Sequence, residues 1–534
     1  VVLANLKRQS PEEIWQGLQL AELVNVGDED KTNNIIKCVE YSHSNLSEEA
    51  QKLLLCLAPF SGFIYLDIIP YYAKKLQKFD SFCHYPFDQF GQAIQEAISW
   101  GLLAPIDARN PHLLNTQPVL SFFLKTKLKE ESNSLYEDLQ EGFKQLYLEL
   151  SRHYKQQLES RNPEEQAQGK FFCQKDYENL YNALEMCLDK QEDIGIFFCL
   201  EQYFKSTNQP QDRLKLAKYV CERLENYPAN FLEGELGNEM AMAFDRLAWS
   251  YLVLKQYELA KTNYQKFLHS LDQLRFINER EKQLAIATTL HQLGTVAAEL
   301  REWEQARSYY QQAIEIKIEY GAAGGTQSAR YKQAGTLHQL GAVAQELREW
   351  EQARSYYQQA IEIFIEYGER FSQASTLHHL GMVAQELREW EQARSYYQQA
   401  LEIKIEYGDR YSQASTLHHL GNLAQELREW EQARSYYQQA IEIYIEYGDR
   451  YGQANPLHEL GMVAQALREL SQAKSYYLQA LQIWAEFNDG YGVQTYSLPC
   501  LVALYQQTQD EEILVGIASV FGVGVEEVRG LLEG

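Results

Sequence analysis

Five histidines recur at one position of a repeated segment and are the first candidates for chemistry in this chain. They are His291, His338, His378, His418 and His458. Near neutral pH a histidine can bind a metal, transfer a proton or form hydrogen bonds. We expect successive helix pairs to stand about 10 Å apart, far beyond the ~4 Å between two nitrogens on one zinc ion. This spacing disfavours a row of metal sites. Two interpretations stay open: a polar ladder that hydrogen-bonds a ligand's backbone or acidic groups, and a solvated position copied by recent duplication.

Two other positions differ between copies while nearly everything else is fixed. The first row is Thr295, Ala342, Met382, Asn422 and Met462, and the second is Lys317, Phe364, Lys404, Tyr444 and Trp484. Neutral drift would also scatter changes over the exposed Glu, Gln and Arg positions. The concentration of changes therefore favours a chemically varied binding surface, with drift among five copies as the alternative. Met and aromatic side chains would offer adaptable apolar contacts there.

The sequence has no arrangement typical of an active site. The motifs G-x-S-x-G, H-E-x-x-H and C-x-x-C are absent, and so is the phosphate-binding motif G-x-x-x-x-G-K-[ST]. The Gly-Ala-Ala-Gly-Gly stretch at 321–325 lacks the lysine that such a phosphate loop needs. We therefore predict no catalytic residue, no metal site and no cofactor within this chain.

The candidate residues lie in a segment that repeats about every 40 residues. Its marker glycines are Gly294, Gly341, Gly381, Gly421 and Gly461, which are 47, 40, 40 and 40 residues apart. A more divergent copy, with Ala248 at the glycine position, precedes them. Apolar residues at helical spacing predict two helices in each copy, such as 373–387 and 390–407. Gly408 follows the second helix, where a left-handed cap favours glycine, and Gly321, Gly368 and Gly448 are assigned the same role.

These copies resemble the tetratricopeptide (TPR) family. The family's pattern of Leu-Gly in the first helix, then Ala, an aromatic and Ala in the second, is matched by Leu380-Gly381, Ala393, Tyr397 and Ala400. The copies depart from it in their period, which is about 34 residues in the family, and in lacking a proline after the second helix. The resemblance implies an all-α fold, a right-handed superhelix over residues 236–490. Residues 491–534 are expected to form capping helices, because a terminal repeat exposes one face to solvent.

The resemblance also implies a concave groove, lined by the first helix of each pair, that binds a protein or peptide. We expect Trp390 and its equivalents to pack between helix pairs rather than to contact a ligand. The residues assigned to the groove are His291, Thr295, His338, Ala342, Gln345, His378, Met382, Gln385, His418, Asn422, Gln425, His458 and Met462.

Residues 31–128 do not follow the repeat. Their motifs, in chain order, are Tyr41, Ser44-Asn45-Leu46, Leu57-Ala58-Pro59-Phe60 and Trp100-Gly101-Leu102-Leu103. In this order they resemble the winged-helix part of STAND (NB-ARC type) NTPases, which are signalling ATPases. Residues 1–30 resemble the helices that follow the nucleotide-binding core of that group, and residues 129–235 resemble a helical connector. The resemblance implies a C-terminal part without the P-loop domain, so that ATP or ADP would bind only in a longer protein.

One residue of the winged-helix region is a candidate nucleotide sensor. The STAND family carries a Met-His-Asp motif whose histidine senses nucleotide, and the matching positions here are Thr116, Gln117 and Pro118. Gln117 could donate a hydrogen bond to a phosphate, although the histidine itself is not reproduced. The alternative is a surface residue of the winged helix.

The amino-acid composition limits the classes of partner that we expect the chain to bind. The formal net charge is −25 and the pI is near 5.0, which disfavours nucleic acid and anionic membrane surfaces. Eight scattered cysteines fit free thiols in a reducing, cytoplasmic setting. We predict the ligand-sensing and protein-interaction arm of a bacterial-type STAND ATPase, which relays binding through the winged helix. The fragment would be monomeric and the full-length protein oligomeric on activation. A constitutive TPR scaffold that does not switch is the alternative.

Overall fold

A computed structural model of the chain describes residues 31–107, 110–116, 118–131, 133–228, 231, 236–272, 274, 279–321 and 327–533. Two predictions, the helices at 1–30 and the nucleotide sensor Gln117, lie outside the described residues. The chain divides into two compact units, unit 1 over Val1–Ile277 and unit 2 over Asn278–Gly534. Each unit is described by itself. None of the described helices is long and apolar enough to cross a membrane.

The first part of unit 1 combines helices with a small sheet. Its elements are α1 (Lys31–Ser44), α2 (Glu48–Leu55), β1 (Phe63–Tyr65), α3 (Ile69–Leu76), α4 (Phe90–Ser99), β2 (Leu103–Asp107), β3 (Asn110–Thr116) and α5 (Pro118–Glu131). The Ser47 hydroxyl caps α2 by accepting a hydrogen bond from the Ala50 amide at 3.3 Å, as the sequence predicts. The three strands are antiparallel in the order β1-β3-β2. Phe60 and Tyr72 pack edge to face in the core beneath them.

The described secondary structure of the rest of unit 1 is helical. Its helices are α6 (Asn133–Glu159), α7 (Pro163–Lys175), α8 (Tyr177–Lys190), α9 (Gly195–Ser206), α10 (Pro210–Leu224), α11 (Gly237–Val253) and α12 (Tyr257–Ser270). Asn162 caps α7, and Pro163 occupies its first turn, where no backbone donor is needed. The pair α11 and α12 is the divergent copy of the repeat, with Ala248 and Tyr264 buried between its helices.

Unit 2 is a solenoid of five helix pairs followed by a C-terminal segment. The pairs are α13 (Glu279–Glu299) with α14 (Trp303–Gly321), α15 (Gln327–Glu346) with α16 (Trp350–Glu366), α17 (Arg370–Glu386) with α18 (Trp390–Glu406), α19 (Arg410–Glu426) with α20 (Trp430–Glu446), and α21 (Ala454–Ala466) with α22 (Leu470–Glu486). We call the first members A helices and the second members B helices. After a short turn at Gly490–Gly492 and a π-helical turn at Val493–Ser497, the chain ends in α23 (Leu498–Thr508), α24 (Glu511–Phe521) and α25 (Val525–Glu533).

A glycine–tyrosine contact sets the distance between the helices of each pair. A Cβ at Gly381 of α17 would lie only 2.6 Å from the ring of Tyr397 in α18, and the other four pairs repeat this contact. The predicted caps after the B helices are confirmed at Gly368, Gly408 and Gly448, which have φ of 66 to 69°. Gly321 differs from the prediction because it is the last residue of α14 itself.

Candidate ligand-binding face of the repeat array

The histidine row joins successive repeats. Each histidine ring packs at a steep angle against the buried tyrosine of its own pair, as His378 does against Tyr397 with ring centroids 5.6 Å apart and ring planes at 59°. Its Nδ1 meets a threonine hydroxyl of the next A helix. The Nδ1 to Oγ1 distances are 3.1 Å from His291 to Thr336, 3.1 Å from His338 to Thr376 and 3.2 Å from His378 to Thr416. The first three histidines of the row therefore make contacts between repeats, and the interpretation of the row as a solvated position is wrong, because burial lowers the pKa of all five.

Burial keeps these histidines neutral. It lowers the pKa of His291 to about 3, of His338 to about 4 and of His378 to about 2, and neighbouring lysine charges lower the first and third further. His418 and His458 shift in the same direction, to about 3 and about 4. A neutral imidazole cannot offer a full positive charge to an acidic ligand at pH 7. Among the described residues, no group of three or more His, Cys, Asp or Glu side chains is placed to hold a metal ion.

The row loses its partner at the end of the array. In the fifth pair Pro456 stands at the threonine position, and the Nδ1 atoms of His418 and His458 have no hydrogen-bond partner among the described residues. A buried unpaired ring nitrogen costs free energy. The array is therefore less well satisfied near α21 than near α15 and α17.

The predicted glutamines also have structural partners. The carboxamide oxygens of Gln345, Gln385 and Gln425 accept hydrogen bonds from tyrosine hydroxyls of their own pairs at 3.2, 3.0 and 3.1 Å. Because each buried tyrosine needs an acceptor for its hydroxyl, these glutamines are held in place. Two of them also donate to the next A helix, Gln345 to Met382 Sδ at 3.9 Å and Gln425 to Glu459 at 3.0 Å.

The variable row of the A helices reaches solvent to different extents. Met462 is 40% exposed, and Thr295, Ala342, Met382 and Asn422 are half-buried. Asn422 accepts a hydrogen bond from the Tyr437 hydroxyl at 2.8 Å, and Met382 contacts the amide of Gln345. This row therefore offers a surface whose chemistry changes from repeat to repeat, and whether a ligand uses it stays a prediction.

The variable row of the B helices is mostly buried, so it does not form the chemically varied surface that the sequence predicted. Phe364 and Trp484 are only 4% and 2% exposed, and they pack between successive pairs. Lys317 donates to Thr336 Oγ1 at 2.6 Å and Lys404 to Thr416 Oγ1 at 2.8 Å. Lys317 and Phe364 also line a cleft that is described below.

Two rows that the sequence reasoning missed complete the surface. One is Gln292, Gln339, His379, His419 and Glu459, and the other is Thr288, Gly335, Ser375, Ser415 and Asn455. His379 stacks on Tyr357 of the preceding repeat with ring centroids 5.4 Å apart, and His419 stacks on Tyr397 at 5.7 Å. Both rows differ between copies, which is the signal that had singled out the Thr295 row. We call these two rows and the Thr295 row together the A-helix face.

A cleft opens in this face between α13, α15 and α17. Its volume is about 400 Å³, within the range of small-ligand sites. A Cβ at Gly335 would meet nothing within 4 Å, so the missing side chain leaves this space open. The cleft walls include Tyr331, Phe364 and Phe371, and Lys317 lies at its base.

Comparisons with known proteins agree with this geometry. Tetratricopeptide repeat models match residues 242–270, 286–321, 332–406 and 412–486. The array is thus an all-α TPR solenoid, as predicted, and repeats of this kind are non-catalytic protein-interaction modules. They favour a protein-interaction scaffold. No curated protein sequence matches the chain.

Among solved structures, a STAND protein with a tetratricopeptide repeat sensor from Pyrococcus horikoshii is similar over 99% of this chain and 70% of its own, with 16% identity and a TM-score of 0.53. The apo form of RapI matches 55% of this chain and 98% of its own, with 16% identity and a TM-score of 0.43. BtubC from P. vanneervenii matches 43% and 92%, with 20% identity and a TM-score of 0.38. The first likeness shows a shared fold, and the other two are too weak to add to it.

Proposed function

We propose that this chain is the ligand-sensing and protein-interaction arm of a STAND-type signalling ATPase. The A-helix face would bind an activating protein or peptide, and the first part of unit 1 would pass that event to a nucleotide-binding domain. The observation that carries the proposal is the fold similarity to a STAND protein with a TPR sensor across 99% of this chain. ATP or ADP would bind in a separate P-loop domain, because the motif is absent from this sequence.

The topology of residues 48–116 supports a winged-helix unit. Helix α2 is followed by strand β1, helices α3 and α4, and then the hairpin β2–β3, whose second strand lies beside β1. Three helices joined to a small antiparallel sheet fit a winged-helix unit, which is the kind of domain that the STAND resemblance implies for this region. In the proposal, the region contacts the nucleotide domain and changes its position on activation.

A buried polar junction supports the relay within unit 1. The Asn179 carboxamide accepts from the Ser61 amide at 2.6 Å and donates to the Phe63 carbonyl at 2.8 Å. Asp176, at the start of the same helix, accepts from the hydroxyls of Tyr147 and Tyr154 at 2.9 and 2.8 Å. These bonds hold strand β1 against α6 and α8. A rigid junction of this kind can transmit a rotation of the connector helices to the sheet.

The experiment tests binding and switching together. The 534-residue chain, immobilised, captures partners from lysate of its own organism, and mass spectrometry compares it with the double variant Ser375→Arg/Ser415→Arg, which places two bulky charges on the A-helix face. The captured partner is then added to the full-length protein, and native mass and ATP hydrolysis are measured. We expect a partner that is lost with the double variant and that raises both the oligomeric mass and the hydrolysis rate.

A matched control separates the face from a general effect of charge. Gln398 and Gln438 are exposed on B helices, so Gln398→Arg/Gln438→Arg adds the same two charges elsewhere. This variant should keep the partner. If the control loses it too, or the partner leaves assembly and hydrolysis unchanged, the sensor proposal fails. Binding without switching would support the alternative, a constitutive TPR scaffold.

A further inference from the structure

The cleft between α13, α15 and α17 is electrostatically unlike the rest of this acidic chain. Among the described residues, its lining includes Lys317 and Lys332 and not one carboxylate. Neither lysine forms an ion pair among the described residues, although Asp and Glu outnumber Lys and Arg by 74 to 49 in the whole chain. A cleft of net positive charge on a protein of net charge −25 attracts an anionic group at short range.

Of the two lysines, Lys317 has the less well solvated charge because its side chain is buried. Its side chain is 6% exposed, and its ammonium uses two hydrogen bonds, to Thr336 Oγ1 at 2.6 Å and to the Lys332 carbonyl at 3.4 Å. Burial, with Lys332 nearby, lowers the pKa of Lys317 to about 8, so the group is still mainly charged at pH 7. A buried ammonium without a counterion is costly, and an incoming anion would relieve that cost.

Lys404 occupies the same B-helix position but has an acidic residue in its surroundings. It is 8% exposed and donates to Thr416 and to the Ser412 carbonyl. Burial lowers the pKa of Lys404 to about 8, as it does for Lys317, and the Asp409 carboxylate acts in the opposite direction by favouring the ammonium form. In the repeat of Lys317 the residue at the offset of Asp409 is Ala322. The sequence therefore places an acid five residues after one buried lysine and an alanine at that position after the other.

Aromatic side chains form another part of the cleft wall. Phe364 forms one side, and Tyr331 packs edge to face against it with ring centroids 5.8 Å apart. Phe371 is 57% exposed at the cleft, so its ring is available to a ligand. In later repeats Ser375 and His379 stand where this cleft has Gly335 and Gln339. The cleft thus combines aromatic surface with one buried positive charge.

We propose that this cleft binds a carboxylate that lies next to an aromatic or branched aliphatic group, presented by the activating peptide of the proposed sensor. The carboxylate would accept hydrogen bonds from Lys317 and Lys332, and the apolar group would pack on Phe364 and Phe371. The carboxylate can be a free C-terminus or an Asp or Glu side chain. The inference rests on the proposed function only in naming a peptide as the source.

The test uses small probes with the full 534-residue chain. Ligand-observed NMR titrations compare N-acetylphenylalanine, its carboxamide, phenyl phosphate, and an amidated peptide with an internal Phe-Asp pair. We expect the free acid or the Phe-Asp peptide to bind about tenfold more tightly than the carboxamide, as one charge-assisted hydrogen bond would give. Which of the two binds tells a C-terminus from an acidic side chain. Tighter binding of phenyl phosphate than of both would overturn the carboxylate assignment.

Substitutions test whether the preference for the acid over the carboxamide arises at the cleft. Lys317→Met keeps the length of the side chain and removes its charge, and should abolish the preference for the acid. The matched Lys404→Met should leave it unchanged. Gly335→Leu fills the cleft and should weaken the acid and the carboxamide alike, with unchanged circular dichroism as the check on folding. Equal binding of acid and carboxamide by the unaltered chain, or equal loss in the Lys317 and Lys404 variants, would refute the inference while leaving the sensor proposal untouched.

Discussion

The two units satisfy their buried polar groups in different ways. In unit 1 one carboxylate, Asp176, accepts hydrogen bonds from Tyr147, Tyr154 and Asn179. In unit 2 the buried groups form small contacts between neighbouring helices, and these contacts recur from repeat to repeat, as in His338 with Thr376 and His378 with Thr416. This difference predicts how each unit responds to a disturbance. Unit 1 concentrates three hydrogen bonds on one residue, whereas a condition that disturbs one kind of contact in unit 2 disturbs every copy of it at once.

Lowering the pH should produce the largest loss of stability, and unit 2 should lose more than unit 1. Burial lowers the pKa of seven histidines to between about 2 and about 4: His291, His338, His378, His379, His418, His419 and His458. Below pH 6.5 the unfolded chain binds protons that the folded array excludes, so stability is lost as pH falls. Each histidine contributes up to about 1.4 kcal/mol per pH unit. Hydrogen exchange between pH 7 and 5 should show protection falling by several kcal/mol in unit 2.

In unit 1 the contribution of Asp176 to stability changes with pH in the opposite direction over part of this range. Burial raises the pKa of Asp176 to about 6, against the three hydrogen bonds that favour its ionised form. Between its ordinary pKa of 3.8 and about 6 the folded state holds a proton that the unfolded state has lost. The contribution of Asp176 to stability therefore falls as pH rises through that window. Equal acid sensitivity of peptides from α6–α8 and from α15–α19 would contradict the comparison.

Removing Asp176 should cost the most of any single substitution. In Asp176→Ala the hydroxyls of Tyr147 and Tyr154 and the amide of Asn179 lose their acceptor in a dry environment. Buried unsatisfied donors cost about 1–3 kcal/mol each, so we expect a loss of about 3–5 kcal/mol, measured by urea unfolding monitored at unit 1 peptides. Gln385→Ala is the control in unit 2, because it strands only the Tyr397 hydroxyl and should cost about 1 kcal/mol. Similar losses in the two variants would show that the network of unit 1 is not special.

The sequence predicts the array far better than it predicts the buried groups. The expected helices at 373–387 and 390–407 are observed as Arg370–Glu386 and Trp390–Glu406, because a 3.6-residue apolar period, a glycine cap and near-identical copies all agree. The polar junction of unit 1 was missed. It brings together Ser61, Tyr147, Tyr154, Asp176 and Asn179, which share no local pattern and meet only when the helices pack.

Contacts between copies determine whether the histidine row is buried or exposed. Periodicity shows that His378 lies on an A helix, but its burial is set by Tyr397 of its own pair and Thr416 of the next. Contacts of the same kind bury Lys317, Phe364, Lys404 and Trp484 of the B-helix row, which periodicity alone does not show. Variation between copies is thus informative only after the exposed side of each helix is known. For the A-helix face that side is Gln339, Ala342 and their equivalents.

Substituting two glycines of the A helices should separate the energetic effect of packing from that of helix propensity in unit 2. Gly381→Ala places a Cβ 2.6 Å from the Tyr397 ring and should cost about 2–3 kcal/mol by overpacking. Gly335→Ala, also in an A helix, meets nothing within 4 Å and should stabilise by up to about 1 kcal/mol through helix propensity. Urea midpoints measured at peptides of α15–α18 report both. Destabilisation by Gly335→Ala, or tolerance of Gly381→Ala, would mean that the glycine–tyrosine contact does not set the spacing of the pair.

The smallest expected effect is a difference in stability between substitutions at two threonines, which occupy the same position in successive A helices. Thr376→Val removes one partner, that of His338, whereas Thr416→Val removes the partner of His378 and one of the two acceptors of Lys404. Because an ammonium is harder to leave unpaired than a neutral imidazole, Thr416→Val should cost about 1 kcal/mol more than Thr376→Val. Raising the pH to 9 deprotonates Lys404, whose pKa burial lowers to about 8, and should shrink that difference. A difference that does not change with pH would show that the shared hydroxyl does not stabilise the buried charge, and unit 2 would then be a series of independent pairs throughout.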